Sequence, residues 1–227
     1  MNQPFGTFGH NHNSSYKVKY PDVLLYSRTV IEAREYISTG VISYAEGDII
    51  EVEVNEFKRF DLKENVKVTV YSPVGILVFF STIIAKAEGS VVVLSSPDLG
   101  RRFGEVRQFP RINVSAMGTV QSLAAPIESE QSLDLTVDNI SLGGVGFKVF
   151  QEHQLDELCK VNMSLSKDFH LLCKVEIVHS EPKENHLYYG AKFVDLTDRT
   201  ANSLRAFIMA RQLETYFKRK KNNNLGR

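Results

Sequence analysis

Two short runs decide how this chain reads: Arg107-Gln-Phe-Pro-Arg111 and, further on, Asn139-Ile-Ser-Leu-Gly-Gly144. The first puts two guanidiniums four positions apart on a segment that Pro110 keeps out of helix, because proline biases the preceding Phe109 towards an extended backbone. The arginines therefore sit on a strap that can close on one object from two sides. The second run reads as the end of a strand and a turn. Asn139 and Ser141, two apart, point to one side of an extended chain, and Gly144 leaves room for another group to approach the backbone. Two arginine forks beside a small polar pocket suit a compact, planar, doubly anionic ligand, since guanidinium pairs bidentately with phosphate and stacks on a purine face.

Working outward, the flanking sequence alternates apolar and polar residues with a period of two, as half-buried strands do. Upstream this holds at Ile50–Val54 and Val66–Val70. The more continuous runs Gly75–Ile84 and Val91–Leu94 are expected to be strands covered on both sides. Ser27–Ile37 is open to helix or strand, and its β-branched Thr29, Val30 and Ile31 favour strand. Gly47-Asp48, Ser72-Pro73 and Glu88-Gly89 mark turns. Strands of this length at this spacing predict a small barrel over residues 21–100. Residues 1–20 are small and polar and are expected to form a flexible arm. His10 and His12 in that arm lack acidic or thiol partners and read as solvated.

Downstream of the strap 101–111, alternation resumes at Ile112–Ala116. A polar loop at Ala124–Gln131 is followed by strands at Leu133–Val137, Val145–Phe150, Val161–Leu165, Leu171–Val178 and Leu187–Val194. Asp198 is the expected N-cap of a helix running to about Lys218. Its apolar residues, among them Leu204, Ile208, Leu213 and Tyr216, are expected to pack on the barrel of residues 112–219. Lys218–Lys221 opens a basic tail, with 220–227 beyond the domain. The fold class is therefore mainly β: two small barrels in tandem, the first split-barrel-like, with a C-terminal helix.

Composition narrows the chemistry. The 227 residues are 43% hydrophobic and 24% charged, with 27 basic and 27 acidic side chains. Zero net charge speaks against a dedicated nucleic-acid binder. No apolar run reaches the length of a bilayer span, and the first twenty residues lack the core of a signal peptide. Cys159 and Cys173 make no disulfide framework. There is no phosphate loop of the Gly-rich, Lys-Ser/Thr type, no metal spacing and no acid/base pair of carboxylates. Gly143-Gly144-Val-Gly146 precedes a strand instead of opening a helix, so it lacks the helix terminus a dinucleotide fingerprint uses. The expectation is a cytoplasmic, non-enzymatic protein without metal or cofactor.

Taken together, the two runs resemble the PilZ domain, whose signature is R-x-x-x-R followed by [D/N]-x-S-x-x-G. A separate β-rich domain ahead of the motif is similar to the flagellar-brake, YcgR-like subgroup. The resemblance implies binding of cyclic di-GMP through Arg107, Arg111, Asn139, Ser141 and Gly144, with the arginines on phosphates and guanine edges. Asn139 stands where aspartate is commoner in the family and gives up a charge-assisted bond to guanine. The resemblance further implies an interdomain rearrangement on binding and control of motility by protein contact. Flagellar motor or stator proteins are the partners it points to, or polysaccharide synthases if the output is exopolysaccharide or biofilm. The protein is expected as a monomer or homodimer, recruited on occasion to the inner face of the membrane. A degenerate module that binds no nucleotide is the alternative.

Overall fold

The computed structural model describes residues 22–95, 107–123, 132–150 and 154–225. The expected arm, residues 101–106 of the strap, the loop 124–131 and the end of the tail lie outside the described residues. The strands are β1 (Arg28–Glu32), β2 (Ile37–Glu46), β3 (Ile49–Val54), β4 (Asn65–Ser72), β5 (Gly75–Ala87) and β6 (Ser90–Leu94), then β7 (Ile112–Ser122), β8 (Leu133–Ile140), β9 (Gly144–Val149), β10 (Leu158–Ser166), β11 (Phe169–Lys183) and β12 (His186–Val194). One helix, α1 (Asp198–Leu225), follows.

Two closed six-stranded barrels result, ordered β1-β2-β3-β6-β5-β4 and β10-β11-β12-β9-β8-β7. The expected mainly-β, two-barrel class with a C-terminal helix is what the chain adopts. Ser27–Ile37 resolves as β1 and the start of β2, as β-branching favoured. Period-two alternation fills each interior: Ile31, Ile42, Val52, Val68 and Ile83 are fully buried in the first barrel. Val120, Phe147, Val161, Leu171 and Val175 are fully buried in the second. Closure removes the free strand edges that would otherwise template aggregation.

Two expectations are corrected. The Gly75–Ile84 run is not covered on both sides: Leu77 and Phe79 are buried, while Ile76, Val78 and Phe80 are 63%, 47% and 81% exposed. A continuous apolar run cannot by itself say whether a second layer lies over it. The Val91–Leu94 run is covered on both faces, because α1 lies over Val92.

The helix is the second correction. It does not stop near Lys218, and it does not pack on its own barrel alone. Its first residue follows a cap at Thr197, one position earlier than expected, whose Oγ1 accepts from the Thr200 N–H at 3.2 Å. Leu204 and Ile208 enter the core of the second barrel. From the very next residue on, Met209, Leu213 and Tyr216 join Ile49, Ala85 and Val92 of the first barrel in a separate cluster. No helix among the described residues is long and apolar enough to cross a membrane.

Polar groups fix this second contact. Gln212 is buried, accepts the Asp48 N–H at 3.1 Å and donates to the Asp48 carboxylate at 3.1 Å. Glu51, also buried, accepts from Ser90 at 2.5 Å and Tyr216 at 2.6 Å, and pairs with Lys220. Burial pushes the Glu51 carboxyl up, but hydrogen bonds from Lys220, Ser90 and Tyr216 outweigh it and hold it below the usual carboxylate range.

Replacing Lys220 with methionine leaves this buried carboxylate without its cation. The cost should be about 3 kcal/mol, the low end for a broken buried pair because Lys220 is itself partly exposed. Urea denaturation measures it. Because folding depresses the Glu51 pKa, its contribution is complete above the ordinary glutamate value of 4.5. It is lost as pH falls through the depressed folded value. Denaturation midpoints taken below pH 4.5 should therefore fall more steeply for the wild type than for Glu51→Gln.

Candidate functional site

The register of the second barrel sets the site. β7 pairs with β8 so that Ile112 faces Ile140 and Asn113 faces Asn139, which brings the strap entering β7 beside the turn leaving β8. Phe109 makes the contact: a Cβ at Gly143 would lie 3.1 Å from Phe109 Cδ2, so the ring rests on the bare backbone of the turn. The arginine run and the Asn-x-Ser-x-x-Gly run are thus packed together through Phe109 and Gly143, and Arg107 and Arg111, two residues before and after Phe109 in sequence, are exposed.

The turn is internally braced. The Ser141 N–H donates to the Gly144 carbonyl at 2.9 Å. Ser141 Oγ, in a buried residue, accepts from the Gly143 N–H at 3.3 Å and donates to the Gly144 carbonyl at 3.4 Å. The Gly143 carbonyl accepts the Phe193 N–H at 3.1 Å, tying the turn to β12. Gly144 makes room, as its position suggests, but the neighbour in that room is the chain itself: a Cβ there would collide with the carbonyl of Ala191.

Asn139 is the least settled polar group of the turn. Its Nδ2 donates to Tyr188 Oη at 3.0 Å and lies 3.4 Å from Asp138 Oδ2. Its Oδ1 is buried and accepts no hydrogen bond from the described residues. An unsatisfied buried acceptor costs about 1–3 kcal/mol. Lys148, 2.6 Å from Asp138, holds that carboxyl below its usual range. Tyr188 was invisible to the sequence reading. It reaches Asn139 across the gap at Gly146, where a Cβ would strike the phenol oxygen. Gly146 lies opposite Gly190 on β12, and only the strand register reveals that pairing.

Arg111 also lines a cleft of about 440 Å³ between the barrels, together with the start of β7, the β2–β3 turn and one face of α1. Among the described residues no group of three or more His, Cys, Asp or Glu side chains could hold a metal ion. The thiols are poor nucleophiles: burial pushes Cys173 up to about 12 and raises Cys159 as well.

Residues 105–210, which span the second barrel and the first half of α1, match the family model of the PilZ domain. No curated protein matches the chain. Among solved structures it is similar to YcgR of Escherichia coli in complex with c-di-GMP, at 12% identity over 86% of this chain and 88% of that one, with a TM-score of 0.44. It is also similar to the Bacillus subtilis inhibitor of motility MotI/DgrA, at 14% identity over 84% and 97%, TM-score 0.41. A third is the K. pneumonia MrkH–c-di-GMP complex, at 10% identity over 85% and 90%, TM-score 0.42.

Gly144→Ala separates structure from binding at this turn. The added methyl must displace the β12 backbone, so the variant should lose about 1–3 kcal/mol of stability with no ligand present, as overpacking does. Chemical denaturation of the unliganded protein checks this.

Proposed function

We propose that the chain is a cytoplasmic, non-enzymatic receptor for cyclic di-GMP, with Arg107, Arg111, Asn139, Ser141 and Gly144 forming the site. The observation that carries the reading is the seating of Phe109 on Gly143 within the stretch that matches the PilZ family, which joins the segment bearing both arginines to the Asn139–Gly144 turn. Chemistry supports it. The ligand carries two phosphodiester charges, whose burial is costly unless cations pair with them, and the two guanidiniums are suited to that pairing. Guanine N–H groups are the kind of donor that the buried Asn139 Oδ1 lacks among the described residues, and meeting them requires the side chain to turn outward from Tyr188.

In this reading the strap 101–111 joins a first domain, 21–100, to a ligand-binding domain starting at 112. Ligand pairs with the arginines of a strap that Phe109 already seats on the turn and alters how the first barrel is presented. The output is control of motility by protein contact, with flagellar motor or stator proteins as partners.

Arg107→Ala and Arg111→Ala should each weaken cyclic di-GMP binding by roughly 2–5 kcal/mol, the usual loss when one member of a desolvated charge pair is removed. Isothermal titration calorimetry reads this, with circular dichroism to check the fold. Wild-type affinity in both folded variants would remove the site.

A further inference from the structure

The cleft that Arg111 lines is also walled by α1. Arg211, Glu214 and Lys218 lie three, four and seven positions apart, on one helix face, and Arg219 and Glu46 complete the charged lining. Four cations thus meet two carboxylates, and both carboxylates are already taken. Glu214 pairs with Arg211 at 2.9 Å, and Glu46 pairs with Arg219. Arg111, before β7, and Lys218, on α1, remain, with no hydrogen bond or ion pair to any described residue. Two unneutralised like charges in one concave, partly enclosed space focus a positive potential on it. A volume of about 440 Å³ is within the range of small-molecule sites.

We propose that this cleft seats a phosphodiester of the bound dinucleotide between Arg111 and Lys218, making α1 part of the binding site and the β2–β3 turn its roof. The inference rests on the receptor reading above and adds a ligand-binding residue, Lys218, from outside both sequence runs. Its chemistry fits: the two non-bridging oxygens of one phosphodiester can accept from Arg111 and Lys218 at once without breaking either existing ion pair. Arg211 and Arg219, already neutralised, shape the cleft without supplying free charge to it.

The test is calorimetric titration of cyclic di-GMP into the full chain carrying Lys218→Glu, beside Lys221→Glu as a control for bulk charge. Lys221 is an exposed cation of the same helix that does not line this cleft. Lys218→Glu should weaken binding roughly tenfold or more, while Lys221→Glu should stay within about twofold, as for a screened surface charge. Unchanged affinity in Lys218→Glu would overturn the proposal while leaving the receptor reading intact, and equal losses in both variants would overturn it too. A wild-type chain that binds no cyclic di-GMP would instead remove the receptor reading, and this inference with it.

Discussion

A carboxylate buried under a helix, Glu51, sets how the two halves of this molecule meet. Taking such a charge out of water costs several kcal/mol, and here the cost is offset by three donors at once: Lys220, Tyr216 and Ser90. Two of the three come from α1. The last turns of a helix that began in the core of the second barrel are therefore committed to the wall of the first. Gln212 repeats the device one turn earlier, and the left-handed backbone of Gly47, with φ of +63°, lets the β2–β3 turn pass directly under its amide. The barrels are joined by a packed, polar-locked helix as well as by the covalent strap.

That arrangement limits what a ligand at the strap can do. A rotation of the first barrel has to carry α1 with it, bend α1 between Ile208 and Tyr216, or break the Glu51 cluster. Breaking it would strand a carboxylate in a poorly solvated site, so a ligand would need to supply at least a comparable differential affinity. Small displacements of α1 as a unit are energetically nearer than release.

Much of the architecture was legible because period-two alternation is a local property of sequence. Ile50–Val54, Val66–Val70 and Leu133–Val137 all became strands where alternation put them. Both halves of the nucleotide motif were equally plain, since their residues are contiguous. What stayed hidden depended on non-local register. Tyr188 meets Asn139 only because β9 lies between β8 and β12. The length and docking of α1 were misjudged for a related reason: Lys218–Lys221 looks like a solvated tail when the acidic partners, Glu46 and Glu51, lie on strands more than a hundred and sixty residues away. The exposed side of β5 was misjudged because an apolar run carries no record of what covers it.

The basic run at the end of α1 shows how much one helical turn can divide its work. Successive residues are displaced by about 100° around the axis, so Lys218 and Lys220 project to nearly opposite sides. Lys220 is bound into the first barrel at Glu51, and Arg219, between them, reaches Glu46 and lies over the Tyr44 ring at 6.0 Å. Lys218 alone of these three is left facing the cleft with nothing to neutralise it. Since the neighbouring cations are fixed by the interface, the backbone of Lys218 is held at the wall of the cleft, while its exposed side chain remains free to rotate. The same buried carboxylate that docks the helix thus orders the Lys218 backbone on folding, so an anion entering the cleft has only the side chain left to order.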